Sequence, residues 1–495
     1  MGLSAFLLEA ARSIRIPDER DYGEGIVLWQ AANVTNLKTA YHSVDHYPFI
    51  VFHYPPVYHL FVRLASLFTA NLLGAGRAVS TLSFLAISGL MGALAWRSLR
   101  ICRGRAARLT GTLCAGMMAF SLSTCVWGSL MRVDSLAVAL TFAGLSLYIS
   151  SRGRPAMAFA AFTVFVLAVY TKQTMLAAPF ACLIFAWLER PRLAWQLLGW
   201  SATLGGGTLL ALNWATSGNF ILNVYSYLRN PFTVERLVTC WNNHLGSGFV
   251  VLLAAALTTI TSVFVSARGS SVADRLRNCL GRDPLRRSVI IFGGYLAAAL
   301  LMSCTVGKEG SNVNYFFEVD AAVTLLSGQF LGWVMDRSLR GKNNYPAVLA
   351  VSIAALSIQA LPGIDAITVA LRDQSRPERD ADVTAFVRSL NGPVYSENMT
   401  ILMRAGKAIP AEPAIITLLT KMSKWDENRM IALVEDGRFA AVLVNTSLDN
   451  GERFTPPVAR AIREHYPKQR RFGFNTVYLP EKAPVPGIPF RRAGL

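Results

Sequence analysis

Residues 78–96 read AVSTLSFLAISGLMGALAW and contain no Asp, Glu, Lys, Arg or His. An α-helix rises about 1.5 Å per residue, so this stretch would extend about 28 Å as a helix. The hydrocarbon core of a bilayer is about 30 Å thick. The stretch therefore predicts a membrane-spanning helix, and it provides the template for reading the rest of the chain.

Nine further segments are similarly apolar. They are 110–128, 134–150, 156–171, 174–188, 194–213, 247–267, 288–306, 315–335 and 345–362. After Pro362 the composition becomes that of a soluble protein. The sequence predicts a polytopic α-helical membrane protein with about ten spans in residues 78–362. An N-terminal segment, 1–77, precedes the spans, and a small soluble α/β domain, 363–495, follows them.

Composition agrees with this fold class. The 495 residues are 53% hydrophobic and 16% charged, and the net charge is +18. A nucleic-acid-binding protein would carry such an excess on a polar surface, which this chain largely lacks. The high hydrophobicity excludes a disordered chain, and seven Cys in this length exclude a disulfide scaffold.

The basic excess predicts the orientation of the spans. One set of alternate loops carries 18 Lys and Arg residues against four acidic residues, Glu189, Asp274, Asp283 and Asp336. The opposite loops and residues 1–77 carry 11 basic and 11 acidic residues. Because Lys and Arg concentrate in cytoplasmic loops, the first set is predicted to be cytoplasmic. The second set and the C-terminal domain are predicted to face outside.

The N-terminal segment does not fit a complete span. Residues 1–16, MGLSAFLLEAARSIRI, are too short and too charged to cross a bilayer. Ten spans with an external C-terminus also place the N-terminus outside. We expect an eleventh helix upstream of Met1; the alternative is that residues 1–16 form a helix lying on the membrane surface.

The first outer loop begins with the acidic stretch PDERDYGEG, residues 17–25. If it is helical, Asp21 and Glu24 share a face, and neighbouring carboxylates can acquire different proton affinities, as a general base requires. The simpler interpretation is a solvated acidic run that caps the next helix. Gly23 and Gly25 indicate tight packing or a close ligand. Residues 24–36 and the apolar run after Pro56, through Leu73, are predicted to form interfacial helices.

Short outer loops place further polar residues near the bilayer. These are Arg132 and Asp134 in MRVDS, Lys172 and Gln173 in YTKQT, and Lys308, Glu309, Asn312, Asn314, Tyr315 and Glu318 in GKEGSNVNYFFE. Cations on three outer loops would suit a phosphate-containing ligand. The alternatives are a structural Arg132–Asp134 ion pair and lysines that extend to the lipid headgroups.

Metal and disulfide chemistry find little support. Four of the six histidines lie in the first loop, but no HxxxH or HExxH pattern appears. Cys240 is the one cysteine clearly in an outer loop, and none follows Pro362. In the C-terminal domain, strands are predicted at GPVYSEN, AAVLVN and FNTVYLPE. Helices are predicted at WDENRMIALVEDGRF and TPPVARAIREHYPKQ.

Several of these segments together resemble the GT-C superfamily of polyprenyl-phosphate-dependent glycosyltransferases. PDERDYGEG is similar to the P-D-E-x-x-Y-x-E opening of the lipid A aminoarabinose transferase branch and the related protein mannosyltransferases. YPFIVFHYPPVYHLFV (residues 47–62), followed by GRAVSTLSFL, is similar to the proline-proline segment and next helix of that branch. MRVDSLAVAL, YTKQT and GKEGSNVNYFFE resemble segments of bacterial relatives.

The resemblance implies a first-loop acid as catalytic base, which here would be Asp21 or Glu24, with Asp18 a weaker candidate. It implies Lys308, with Arg132 or Lys172, as the group that binds the departing lipid phosphate. Substrate-binding residues are expected at His53, Tyr54, Asn314, Tyr315 and Glu318. No metal ligand and no definite cofactor is implied, and dependence on a divalent cation stays open.

One departure limits the resemblance. Aminoarabinose transferases tend to carry an acid and a Lys before the proline pair, where this chain has His53 and Tyr54. We therefore expect an enzyme of the bacterial inner membrane that moves a sugar from a polyprenyl-phosphate donor to an extracytoplasmic lipid, glycan or protein. The alternatives are a flippase or transporter of lipid-linked sugars and a non-catalytic scaffold. The chain shows no internal repeat of the kind common in transporters.

Overall fold

The computed structural model describes residues 2–117, 123–152, 154–281, 283–341, 345–359, 368–369 and 380–481. Helices dominate it. Those of the first two regions are α1 (Gly2–Arg15), α2 (Tyr22–Asn33), α3 (Leu37–Ala40), α4 (Val57–Ala65), α5 (Leu72–Ser98), α6 (Arg105–Met117), α7 (Asp134–Ser150), α8 (Pro155–Val169), α9 (Ala177–Glu189), α10 (Pro191–Ser201), α11 (Gly207–Ala215), α12 (Asn219–Ile221), α13 (Val234–His244), α14 (Val250–Val265), α15 (Val272–Cys279), α16 (Pro284–Ser303), α17 (Phe317–Leu339) and α18 (Tyr345–Gln359).

Helical structure occurs at each of the ten predicted spans, within the described residues. The segment predicted at 194–213 is α10 joined to α11 through a π-helical turn, Ala202–Gly206. Two stretches, Leu72–Ile101 and Pro284–Gly307, are long and apolar enough to cross a membrane by length and composition. The number of spans remains a prediction, and the predicted boundary at Pro362 lies outside the described residues.

Helix α1 packs against α5 and the 3₁₀ segment Ser123–Ser129. Phe6 is fully buried, with its ring 5.0 Å from that of Phe84. Glu9 is also buried and pairs with Arg20, where the chain leaves α1. The helix therefore anchors the start of the acidic loop on the bundle.

The two helices predicted to be interfacial differ. Helix α2 is buried at every position from Gly23 to Ala32, so the prediction of a membrane-lying helix at 24–36 is wrong. Helix α2 contacts α4, α5 and a helix of the C-terminal domain. Because several elements bury it, its sequence has only a weak apolar stripe, and that stripe did not predict the burial. Helix α4, by contrast, exposes Leu60, Phe61 and Leu64. That exposed apolar face fits an interfacial helix.

The C-terminal region forms a four-stranded sheet with the order β1-β2-β4-β3. Its strands are β1 (Val394–Ser396), β2 (Ala441–Val444), β3 (Lys468–Phe472) and β4 (Asn475–Leu479). The first pair is parallel, and the others are antiparallel. The three predicted strands are confirmed, whereas β3 was not predicted because KQRRF lacks an apolar pattern. Helices α19 (Ala381–Ser389), α20 (Met399–Arg404), α21 (Pro413–Lys421), α22 (Asn428–Glu435) and α23 (Pro456–His465) accompany the sheet.

Candidate functional site

Asp21 caps the N-terminus of α2. Its backbone is extended, and its Oδ1 accepts a hydrogen bond from the Gly23 amide at 3.1 Å. A carboxylate here satisfies a free helix amide and faces the positive end of the helix dipole. The Asp21 side chain is 26% exposed, against 7% for Asp18 and 0% for Glu24. Of these three carboxylates, Asp21 is the one that a ligand can reach.

Arg132 lies beside Asp21. It belongs to the turn between the 3₁₀ segment and α7, and its Nη1 is 3.0 Å from Asp21 Oδ1. Its guanidinium also lies over the Trp127 ring, 4.8 Å from the ring centroid. A Cβ at Gly23 would come within 1.3 Å of Arg132 Nη1. Gly23 is thus required so that the guanidinium can pass over the start of α2.

Glu24 points in the opposite direction and is enclosed. Arg77, at the head of α5, donates to Glu24 Oε1 at 2.8 Å and to Oε2 at 2.7 Å. The Met131 and Arg20 amides also donate to this carboxylate. Burial raises the pKa of Glu24, but Arg77 and these hydrogen bonds outweigh it, so the pKa lies below the ordinary value. Glu24 is therefore a buried, charged anchor of the loop.

A second ion pair lies near the first. Asp134, at the start of α7, accepts from Lys172 Nζ at 2.6 Å and from Asn314 Nδ2 at 3.0 Å. The Lys172 amine is also 5.0 Å from the centroid of the Tyr315 ring. Burial lowers the pKa of Lys172, but Asp134 more than offsets this and raises it, so the amine stays protonated. The anticipated Arg132–Asp134 pair is wrong, because each residue turns toward a different loop.

Tyr54 lies between the two ion pairs. Its phenol is close enough to Arg132, Asp134 and Lys172 for their charges to act on it, and burial raises its pKa. The neighbouring His53 ring is 4.4 Å from the Tyr54 ring. Gln173 donates to the His53 carbonyl at 3.1 Å, which holds this dipeptide against the turn that carries Lys172.

Residues of the C-terminal domain contact the acidic loop at several points. Arg404 pairs with Asp18, and Thr400 donates to Glu19 at 3.0 Å. Tyr22, next to Asp21, donates to Glu412. The Arg453 guanidinium lies 3.6 Å from the centroid of the Tyr22 ring. Burial and nearby Glu412 raise the pKa of Tyr22, so its phenol stays protonated. These contacts fix the loop on both sides of Asp21.

The structure therefore brings together most of the residues singled out in the sequence. Arg132, Lys172, Tyr54, Asn314 and Tyr315 meet near Asp21, with His53 adjoining them. Glu318 is buried below them, where its Oε1 accepts from Tyr295 at 3.1 Å.

Lys308 is not linked to these residues by a hydrogen bond or ion pair. Its amine makes no ion pair or side-chain hydrogen bond with any described residue, and its backbone pairs with Phe232.

Sequence reasoning missed Arg77, Gln30 and the tail residues Arg404, Glu412 and Arg453. The sequence could have indicated Arg77, because it is a single cation near the start of an apolar helix. It could not have indicated the C-terminal residues, because no local sequence pattern distinguishes them. No group of three or more His, Cys, Asp or Glu side chains within the described ranges is arranged to hold a metal ion.

The helical bundle, the acidic loop after the first helix and the C-terminal sheet together identify the class of fold. The chain shares its fold, the GT-C fold, with solved structures of ArnT and of an archaeal oligosaccharyltransferase. ArnT from Cupriavidus metallidurans in the apo state matches it with a TM-score of 0.57 at 13% identity, covering 97% of this chain and 96% of ArnT. ArnT bound to undecaprenyl phosphate gives a TM-score of 0.56 with the same identity and coverage.

A third structure has a similar fold with a lower TM-score. The apo oligosaccharyltransferase of Archaeoglobus fulgidus gives a TM-score of 0.51 at 12% identity, covering 94% of this chain and 72% of that one. No family model matches the chain, and no curated protein matches its sequence. At these identities the likeness establishes the fold, and the chemistry must be argued from the site.

Proposed function

We propose that this protein is a membrane glycosyltransferase that moves a sugar from a polyprenyl-phosphate donor to an extracytoplasmic lipid, glycan or protein acceptor. One observation carries the proposal. An accessible carboxylate, Asp21, lies at a helix N-terminus beside Arg132, with the Lys172 amine in the adjoining ion pair. Its support from comparison is the fold shared with ArnT, which has been crystallised with undecaprenyl phosphate.

Asp21 is the proposed base. Its carboxylate accepts the proton of an acceptor hydroxyl as that oxygen attacks the anomeric carbon of the donor. The bond between the anomeric carbon and the phosphate oxygen breaks, and its electron pair leaves with the polyprenyl phosphate. The sugar is then bonded to the acceptor oxygen, and the proton resides on Asp21 until water removes it.

Arg132 and Lys172 are the proposed phosphate-binding residues. The donor phosphodiester carries one negative charge, and the departing phosphate gains a second as the bond breaks. Two cations held in a largely buried site stabilise that developing charge more strongly than they would in water. The role of Lys308 in phosphate binding stays a prediction, because no hydrogen bond or ion pair among the described residues links its amine to this site.

Glu24 is assigned a positioning role. Both of its oxygens are occupied by donors, and its side chain is fully buried. An acceptor cannot reach it without breaking the contact with Arg77. Asp18 is excluded on similar grounds, because it is buried and paired with Arg404. The side of the membrane follows from the charge distribution, which puts this site outside the bacterial inner membrane.

The test uses purified protein in lipid nanodiscs. Undecaprenyl phosphate is expected to bind and raise the thermal stability, and Arg132→Gln should weaken that binding. Undecaprenyl-phosphate sugars should release undecaprenyl phosphate when acceptor lipids are supplied. Asp21→Asn should lower this turnover by about 10²- to 10⁴-fold while undecaprenyl phosphate still binds.

Glu309→Gln, a change at an outer-loop acid half-exposed and paired with Lys421, is the matched control and should turn over normally. Full turnover by Asp21→Asn would refute the base assignment. Movement of the lipid-linked sugar across the bilayer without release of undecaprenyl phosphate would indicate a flippase instead.

A further inference from the structure

The dipeptide His53–Tyr54 is held unusually firmly for a loop. Gln30, on α2, places its Nε2 3.4 Å from His53 Nδ1 and donates to the Val51 carbonyl at 3.3 Å. Gln173 holds the His53 carbonyl, and Tyr41 donates to the Tyr54 carbonyl at 2.8 Å. Three separate elements therefore hold the backbone of this dipeptide and the His53 ring near Arg132 and Lys172.

Both side chains remain half-buried, so each keeps surface that a ligand can contact. Gln30 Nε2 lies within hydrogen-bond distance of His53 Nδ1, and a neutral imidazole has one ring N–H to donate and one ring nitrogen to accept. Burial, with Arg132 nearby, lowers the pKa of His53 to about 4. The imidazole is therefore neutral near pH 7, with one N–H to donate, beside a phenol that both donates and accepts.

The hydrogen-bonding capacity left around this dipeptide comes mostly from neutral amides. Gln30 Oε1, Gln173 Oε1 and Asn314 Oδ1 are buried and have no hydrogen-bond partner among the described residues. Amide oxygens accept from hydroxyl groups or water, and buried ones are costly when unpaired. Such a set suits a ligand rich in hydroxyl groups.

The nearby carboxylates, by contrast, are already neutralised. Asp21 faces Arg132, Glu24 faces Arg77, and Asp134 faces Lys172. Asp134 Oδ2 retains spare accepting capacity, but its charge is matched by the lysine at 2.6 Å. Glu318 accepts from Tyr295 and is 6% exposed. Each of these carboxylates therefore already has a cationic or phenolic partner.

We infer that the transferred sugar is uncharged, and that His53 and Tyr54 recognise its hydroxyl groups and ring face. The inference rests on the proposed glycosyltransferase function and adds the class of donor. An ammonium group on the sugar would lie beside the like charges of Arg132 and Lys172, and each nearby carboxylate already has a cationic or phenolic partner. A carboxylate on the sugar would compete with the donor phosphate for the same two cations.

A matched pair of donors tests this. Undecaprenyl-phosphate arabinose and undecaprenyl-phosphate 4-amino-4-deoxyarabinose differ at one substituent, a hydroxyl or an ammonium group. We expect kcat/KM for the hydroxyl donor to be at least about tenfold higher. Undecaprenyl-phosphate mannose and glucose extend the neutral set, and a uronic-acid donor supplies the anionic one.

Variants of His53 give a second measurement. His53→Glu places a carboxylate beside the sugar and should shift the ratio of kcat/KM values toward the ammonium donor by about tenfold or more. His53→Gln keeps a neutral donor of hydrogen bonds and should retain the wild-type preference at reduced rate. Thermal stabilisation by undecaprenyl phosphate should be similar in both variants, which shows that the site is folded.

The outcomes are distinguishable. Faster turnover of either charged donor than of every neutral donor would overturn the inference while leaving the glycosyltransferase proposal intact. An unchanged donor ratio in His53→Glu would overturn the role of His53. Failure to turn over any donor and to bind undecaprenyl phosphate would refute the proposed function, and the inference with it.

Discussion

Gly23→Ala should disable the site without unfolding the protein. The Gly23 backbone is helical, so alanine can adopt it, and alanine is intrinsically favoured over glycine in a helix by about 1 kcal/mol. The added Cβ, however, would lie 1.3 Å from Arg132 Nη1 and 2.6 Å from its Cζ. The clash is with the end of a flexible side chain, so Arg132 moves and the backbone stays.

The required movement decides the magnitude. Ordinary contacts of a Cβ begin near 3.4 Å, so the guanidinium must shift by about 2 Å. The Asp21–Arg132 contact is 3.0 Å, and a shift of that size exceeds what an ion pair tolerates. Since a misplacement of about 1 Å in a reacting site can lower the rate about 10²-fold, we expect kcat/KM to fall by about 10- to 100-fold.

The assay is release of undecaprenyl phosphate from the best neutral donor, with thermal stability measured in parallel. Gly89→Ala, at an exposed position of α5 where a Cβ meets open space, is the control and should match the wild type. If the effect acts through Arg132, adding Gly23→Ala to an Arg132→Ala variant should lower kcat/KM little further. Wild-type activity in Gly23→Ala, or full additivity with Arg132→Ala, would refute the reasoning.

Three further predictions concern the supports of the site. Arg77→Met leaves the buried Glu24 carboxylate unpaired and should lower the free energy of unfolding by about 3–5 kcal/mol, whereas Arg77→Met with Glu24→Gln should recover much of this in equilibrium unfolding in detergent. Because the Glu24 pKa is below its ordinary value of 4.5, its contribution to stability is present above that pH and is lost as pH falls through the lowered value; melting curves of Glu24→Gln should lack this acid-dependent loss. Arg453→Met, which removes the cation over Tyr22, should lower kcat by about two- to fivefold without changing undecaprenyl phosphate binding; a change in binding alone would contradict a positioning role.

The sequence indicated the loops that meet at the candidate site, but it did not indicate which charged residues form ion pairs there. Apolar run length located the helices, because burial in lipid or in a bundle requires the same composition. Arg132, Lys172, Asn314 and Tyr315 were proposed as site residues because polar groups next to apolar spans are costly unless they are paired or face water, and the structure places them close together. Their partners were beyond reach, since Asp21 and Arg132 are separated by more than a hundred positions.

Local spacing was insufficient in two places. A shared helical face for Asp21 and Glu24 was one interpretation, and an acidic run that caps the next helix was the simpler one; the helix begins at Tyr22, and Asp21 is its cap with an extended backbone. Their carboxylates therefore diverge, one toward Arg132 and the other toward Arg77. Arg132 and Asp134 were an equally natural local pair, yet the turn before α7 directs them toward different loops. In both cases the backbone at a helix start, which spacing does not reveal, decided the outcome.

The separate partners explain why Asp21 is more accessible than Asp18 and Glu24 in the same acidic loop. Asp18 is held by Arg404 from the C-terminal domain, Asp21 by Arg132 from the second outer loop, and Glu24 by Arg77 from α5. Three cations from three regions leave the loop little freedom to rotate. Because Asp18 and Glu24 are each paired with an arginine, neither is an uncompensated buried charge. Asp21 alone of these three keeps a substantially exposed carboxylate, so the two buried pairs determine where the proposed base stands.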